Sequence, residues 1–280
     1  MRLVLLALIA GSAVAWAQPD LNEILRRVAE NQERAVEARS TIVYTQETRT
    51  RLFRSNGKLG REDHRLYTVL PSAQGTDKHL DLFEGRYLHK GKTETYTDPS
   101  FQHSDLDIDA DLVKDLTDDL VNDKKSRDGI SPDLFPLTAA EQQHYDFQLA
   151  GTQKVGNVEA LKLTFTPKRV GDGEDERCWA GEVLVDPVEY QPMRVTTKLA
   201  FQIPLAVKVL LGTNIRQLGF TLTCRKVADG LWFPVSYGTE FRLRVLFGYA
   251  RTITMSMDNR DFRRTSAESS IQFQNDTAKP

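Results

Sequence analysis

Strict alternation of apolar and polar residues dominates the last third of the chain. From 231 to 247 every odd position is apolar or Thr, while the even positions include Ser236, Glu240, Arg242 and Arg244. Side chains on a strand point alternately to its two faces, so this run predicts one long strand with one apolar face. Asp229-Gly230 before it is a hairpin turn signal, and Leu218, Phe220, Leu222 and Cys224 carry the same period upstream. After Gly248, Tyr249, Ile253, Met255 and Met257 alternate in a further strand, and two earlier strands are predicted over 179–185 and 193–203. The expectation is a five-stranded antiparallel meander, polar on one face and apolar on the other.

The first half of the chain reads differently. Asp20 and Glu23 have the spacing of a capping box, and Leu21, Ile24, Leu25, Val28, Ala35 and Val36 follow at helical spacing to about residue 38. Alternating strands are predicted over 41–53 and 61–70, joined at Ser55-Asn56-Gly57, with Pro71 closing the second. Segments 78–84 and 86–90 flank Gly85, and 92–96 adds a short strand after Gly91. These strands are more polar than the late ones, which places them at the exposed end of the sheet.

Between 98 and 144 the strand pattern stops. Asp105, Asp107, Asp109 and Asp111 cluster where a helix would start, and Lys124, Lys125 and Arg127 where it would end, as the helix dipole prefers, with Gly129 as the stop. Leu106, Val113, Leu116 and Leu120 share one face. A second short helix is predicted from Thr138, with Glu141 completing a capping box. Strands return at Phe147 and Leu149 and at Leu161, Leu163 and Phe165, about a turn at Val155-Gly156-Asn157. The fold class is therefore mainly β (α+β), with one N-terminal helix and one helical insert over about 104–144.

At 280 residues and 40% hydrophobic content the chain can bury a core of its own. Its 37 basic and 39 acidic residues are interspersed, leaving a net charge of −2, which argues against a nucleic-acid partner. Arg2, the apolar run 3–10 and Ala15-Trp16-Ala17 read as a signal peptide over 1–17. That run is shorter than the roughly 20 apolar residues of a membrane span. No Cys stands at the cleavage site, so the expected location is periplasmic without a lipid anchor. A single domain is expected over 18–264, followed by a polar tail over 265–280.

The chain has two cysteines. Export favours a disulfide, but strand parity sends Cys178 and Cys224 to opposite faces, and only a bulge would overturn that. Asp105-Leu-Asp-Ile-Asp-Ala-Asp departs from a calcium loop at Ala110, where the turn needs Gly, and at Leu116, where a bidentate Glu is needed. The five histidines show no metal-ligand spacing and read mostly as solvated positions. There is no nucleophile elbow, phosphate loop, paired-cysteine zinc motif or dinucleotide fingerprint, so no catalytic residue, metal or cofactor is assigned.

What stands out is apolar excess on the inner face of the meander. Phe220, Leu222, Phe233, Tyr237, Phe241, Leu243, Ile253 and Met255 are the candidate lining of an apolar cavity for an acyl chain. The alternative is that the helices simply fill this core. Arg251 falls on the apolar parity of its strand, as a rim residue or as an ion partner for an acidic headgroup. Segment 204–212, with Leu205, Val207, Val209, Leu210 and Leu211 against the single charge of Lys208, is too apolar for an ordinary connection. It is read either as a plug over the barrel mouth or, through Leu205, Val209, Leu210 and Leu211, as a transient contact with a membrane or partner.

The order of a signal peptide, an amphipathic helix, polar paired strands, a helical insert and an apolar meander resembles the LolA/LolB-like family of outer-membrane lipoprotein-sorting proteins. The runs beginning at Tyr145 (Tyr-Asp-Phe-Gln-Leu-Ala-Gly), Gly181 (Gly-Glu-Val-Leu-Val-Asp-Pro) and Gly230 (Gly-Leu-Trp-Phe-Pro) are similar to segments of its bacterial relatives. The resemblance implies a half-open antiparallel β-barrel of about 11 strands, its concave face covered by the helices. It further implies a non-catalytic, monomeric periplasmic carrier whose partner is a lipid or an acylated lipoprotein. The missing lipidated Cys resembles the soluble carrier more than the membrane-anchored acceptor. No family functional residue aligns with a position here, and the fold also hosts sensory and structural envelope proteins that act through a protein partner.

Overall fold

The computed structural model describes residues 20–72, 75–121, 137–170, 177–200, 214–216, 218–244 and 248–264. The signal peptide, the polar tail, the end of the insert helix at Lys124 to Gly129, segment 204–212 with Leu205, Val209, Leu210 and Leu211, and Val245 and Phe247 lie outside these residues.

Helix α1 (Leu21–Arg39) is followed by β1 (Ile42–Arg54), β2 (Leu59–Ser72), β3 (Gly75–His89) and β4 (Lys92–Tyr96). Next come α2 (Ile108–Val121), α3 (Ala139–Gln142), β5 (Tyr145–Val155), β6 (Val158–Pro167), β7 (Trp179–Val185) and β8 (Pro192–Leu199). The chain ends with β9 (Asn214–Arg216), β10 (Phe220–Ala228), β11 (Leu231–Arg244) and β12 (Ala250–Arg264). One open antiparallel sheet results, in the order β4-β3-β2-β1-β12-β11-β10-β8-β7-β6-β5. The meander expected from alternation is the run β7-β8-β10-β11-β12, and β12 returns to pair with β1. Short β9, not predicted, pairs with the part of β11 that extends beyond β10.

Four sequence expectations are corrected. Gly85 does not separate two segments: β3 is continuous, and a Cβ at Gly85 would stand 2.1 Å from the Tyr96 ring, which occupies that space. Pro71 does not close β2, since extended backbone suits its ring and it pairs with Thr76. The polar strands are not all at the exposed end: β1 and β2 lie well inside the sheet, and Arg61, Glu62, Asp63 and Arg65 are buried. Alternation also fails at the start of β11, where Leu231, Trp232, Phe233 and Pro234 are all buried. There the register shifts opposite Cys224, and the Trp232 indole donates to Glu189 at 2.8 Å, so both sides are covered.

Helix α1 starts at Asp20, whose carboxylate accepts from the Asn22 amide. Glu23 does not complete the box; Arg26 and Arg27 hold it outside. The opposite stripe, Ile24, Val28 and Ala35, is buried, and Ile24 and Val28 join the main hydrophobic cluster with Leu163, Phe165, Val183, Val195, Leu222 and Phe233. Each such aliphatic side chain contributes about 1.5–3 kcal/mol on burial. The short α3 begins as predicted, with Thr138 accepting from the Glu141 amide. No disulfide joins Cys178 and Cys224.

Candidate functional site

Register builds the inner face in rows. Leu163, Val183, Val195, Leu222, Tyr237, Met257 and Thr48 stand side by side across β6, β7, β8, β10, β11, β12 and β1, and Arg65 follows on β2. A second row runs Phe241, Ile253, Leu52, Arg61, and a third Thr239, Met255, Thr50, Asp63. The face is thus uncharged through β1, where Thr48 and Thr50 join the apolar rows, and becomes charged at β2. Helix α2 lies over this boundary.

Beneath α2 is a second, smaller hydrophobic cluster of Leu52, Val113, Phe241, Ile253 and Met255, joined by half-buried Leu112, Leu116 and Leu243. Polar bonds do the rest of the attachment. Asp107, just before the helix, is 2% exposed and receives Arg61 Nη1 at 2.9 Å and the Ala110 amide at 3.1 Å, with His103 Nδ1 at 2.5 Å. Burial pushes the Asp107 carboxyl up, but the bonds from His103 and Ala110 and the Arg61 charge outweigh it and hold it below its usual range. Two residues on, Asp109 accepts from both Nε and Nη2 of Arg251, at 2.9 and 3.0 Å, and from the Tyr249 hydroxyl at 2.6 Å. Burial, then the bond to Asp109, pushes the Tyr249 hydroxyl up, so it stays protonated. Thr117 meets Thr50 at 2.7 Å, and Asp118 receives Arg65 at 3.1 Å.

Support for these arginines continues into β2 and β4. Arg65 also pairs with Asp63 at 3.3 Å, and the Tyr96 hydroxyl donates to Asp63. The Arg61 guanidinium lies 4.5 Å from the Tyr96 ring centroid. On the outer face a separate network holds Glu62 between Arg51 and Arg86, and Glu47 between Arg49 and Arg260. The Arg260 hydrogen bond brings the Glu47 carboxyl down to about 2. His64, expected to be solvated, is half-buried between Glu47 and Glu84.

The predicted lining residues divide between the two clusters. Phe220, Leu222 and Phe233 belong to the first, with Tyr237 packed against it; Phe241, Ile253 and Met255 belong to the second, with Leu243 at its margin. A cavity of about 530 Å³ lies beside Leu243 and Arg251, at the ends of β1, β11 and β12. Buried Arg61, Asp63, Arg65 and Asp107, with half-buried Asp109, were not read from the sequence as one set. Its signal is parity: Arg61, Asp63 and Arg65 share odd positions with the buried Tyr67 and Val69.

The carboxylates here are engaged by arginines, and no group of three or more His, Cys, Asp or Glu side chains among the described residues is placed to hold a metal ion. No described helix is long and apolar enough to cross a membrane. No protein-family model and no curated protein matches the chain. Solved structures do. A Vibrio parahaemolyticus domain described as an outer membrane lipoprotein-sorting protein domain is 11% identical over 88% of this chain and 95% of its own, with a TM-score of 0.36. A DUF1329 family protein from Desulfovibrio piger is 13% identical over 91% and 97%, TM-score 0.36. A LolA superfamily protein from Nitrosomonas europaea is 10% identical over 85% and 94%, TM-score 0.36. The chain is thus similar to LolA superfamily structures, at values that say nothing of what it binds.

Proposed function

We propose that this chain is a periplasmic, non-catalytic carrier or binding protein for a lipid or an acylated lipoprotein, and that the acyl chain enters beneath α2. The observation that carries the reading is how α2 is attached. Val113 is its one fully buried apolar side chain in the second cluster, while Asp107, Asp109, Thr117 and Asp118 bind it to the sheet. A buried ion pair regains in attraction little more than its charges lose in solvation, and the charges recover that solvation once the helix lifts and water enters. A helix held this way separates from an apolar face more readily than one that buries its own apolar stripe. The uncovered surface would be Leu52, Phe241, Ile253 and Met255. Leu106 and Ile108, 86% and 57% exposed at the head of α2, support transient contact with an apolar surface.

Locking the helix tests this. The Thr50 and Thr117 hydroxyls are 2.7 Å apart, so Thr50→Cys with Thr117→Cys should form a bridge. Oxidised, that variant should fail to take up a fluorescent fatty acid, and reductant should restore uptake. Equal uptake by the locked and reduced forms defeats entry beneath α2.

A second reading has its own support: Phe241, Ile253 and Met255 are at most 7% exposed, as in a filled core. In that case the protein is a sensory or structural envelope component acting through a protein partner. Native mass spectrometry separates the two. A co-purifying lipid mass favours the carrier, and a clean apo mass with no uptake of added lipid favours the partner-binding protein.

A further inference from the structure

Arg54, Arg242, Arg244 and Arg251, with Phe53 and Leu243, line the cavity of about 530 Å³ at the ends of β1, β11 and β12. We propose that this cavity binds a phosphate-type anion carried as the headgroup of an amphiphile; the inference rests on the carrier reading and names the chemistry of its ligand. Four arginines line it, Arg54 and Arg251 from the inner-facing row and Arg242 and Arg244 from the alternate positions of β11, and among the described residues one carboxylate, Asp109, answers them, at Arg251. Arg54 stands directly opposite Arg251 in the β1–β12 register, a like-charge pairing that Asp109 relieves on the Arg251 side. Arg242 and Arg244 are exposed and form no ion pair among the described residues. Arg54 donates through Nη2 to the Leu88 carbonyl at 2.9 Å, but its buried Nε has no acceptor.

Guanidinium forks match the paired oxygens of a phosphate, so the donors suit the ligand as well as the charge does. Position supplies the amphiphile. The row Arg54, Arg251, Leu243 is the next inward-facing row along the strands from Leu52, Ile253, Phe241. Two residues of strand separate these rows by roughly 7 Å. A headgroup among the arginines would therefore leave its chain beginning at the apolar cluster beneath α2.

Calorimetric titration of the full chain at low salt tests this with three probes: dihexanoyl phosphatidylglycerol, dihexanoylglycerol with the same chains but no phosphate, and inorganic phosphate. The phosphatidylglycerol should bind most tightly. Arg242→Gln with Arg244→Gln should weaken it about tenfold, the equivalent of one charge-assisted hydrogen bond, and leave dihexanoylglycerol unchanged. Both side chains are exposed and unpaired, so folding should be unaffected, and the double Lys variant should recover part of the loss. If the double Gln variant binds phosphatidylglycerol like the parent while dihexanoylglycerol still binds, the headgroup site is wrong and the carrier stands. If phosphate alone binds as tightly as the lipid, the headgroup assignment falls and a free-anion site remains. If neither lipid binds, the carrier reading falls with the inference.

Discussion

Two helices cover the same face of the sheet by different means. Helix α1 presents Ile24 and Val28 to a cluster that spans both halves of the sheet, and Glu23, Arg26, Arg27 and Glu30 stay outside, with Arg39 in its last turn the buried charge. Helix α2 sits on four buried apolar residues of the sheet, and Asp109 and Asp118, with Asp107 just before it, reach inward to arginines of β12 and β2. Apolar burial is non-directional and has no substitute in water, whereas each polar bond can be exchanged for a bond to solvent. On that difference the α1 end should hold the fold and the α2 end should open at lower cost, which substitutions can test.

The largest effect should come from placing one charge under each helix. Val28 and Val113 are both 0% exposed. Val28→Asp should cost more than about 4 kcal/mol, a large part of a typical stability, and abolish the cooperative melt. Val113→Asp should leave the melt nearly in place and strip amide-exchange protection from α2 alone. Equal unfolding by both would erase the distinction.

Next in size is Asp107→Asn, which leaves the buried Arg61 with only the more distant Asp63, at 3.7 Å, as countercharge. A loss of about 3 kcal/mol in docking corresponds to roughly 100-fold faster exchange in α2. Exchange in α1 should not change. Acid should reproduce the effect in a defined window. Because the folded Asp107 carboxyl titrates below its ordinary value of 3.8, its contribution is complete above that pH and disappears as pH falls through the lower folded value. Protection of α2 should thus be flat from pH 7 to about 5 and fall only below about 4. Release near pH 6 would assign the attachment to another group.

The smallest effect compares thiols. Burial pushes the Cys224 thiol, in the α1 cluster, up to about 12, and the residue is 6% exposed. In a Cys178→Ser background Cys224 should resist alkylation for hours at pH 8. Met255→Cys, at a site 7% exposed beneath α2, should react through helix opening. Matching rates at the two positions would mean that both ends open together.

Legibility in the sequence follows the same division. The meander, α1 and both tight hairpins could be read because apolar burial imposes a period of 2.0 or 3.6 on the residues themselves. The polar end could not be read so directly. The inner face of β2 alternates faithfully, but with Arg61, Asp63 and Arg65 where a core strand would carry aliphatics, so a buried strand looks solvated. Its partners Asp107 and Asp118 lie 46 and 53 residues downstream of Arg61 and Arg65, at another element. Ion pairing of that kind leaves no local period. The aspartate run was legible as a helix start, and its second role as an anchor was not.

Gly85 shows how far this dependence reaches. Any side chain there would displace the Tyr96 ring, and Tyr96 both stacks under Arg61 and holds Asp63. Arg61 in turn holds Asp107. A Gly85→Ala change would thus transmit through two aromatic and ionic contacts to the attachment of the helix. In a mutational screen Gly85 would score with the changes that loosen α2 rather than with the folding defects, and its distance from the apolar cluster would disguise why.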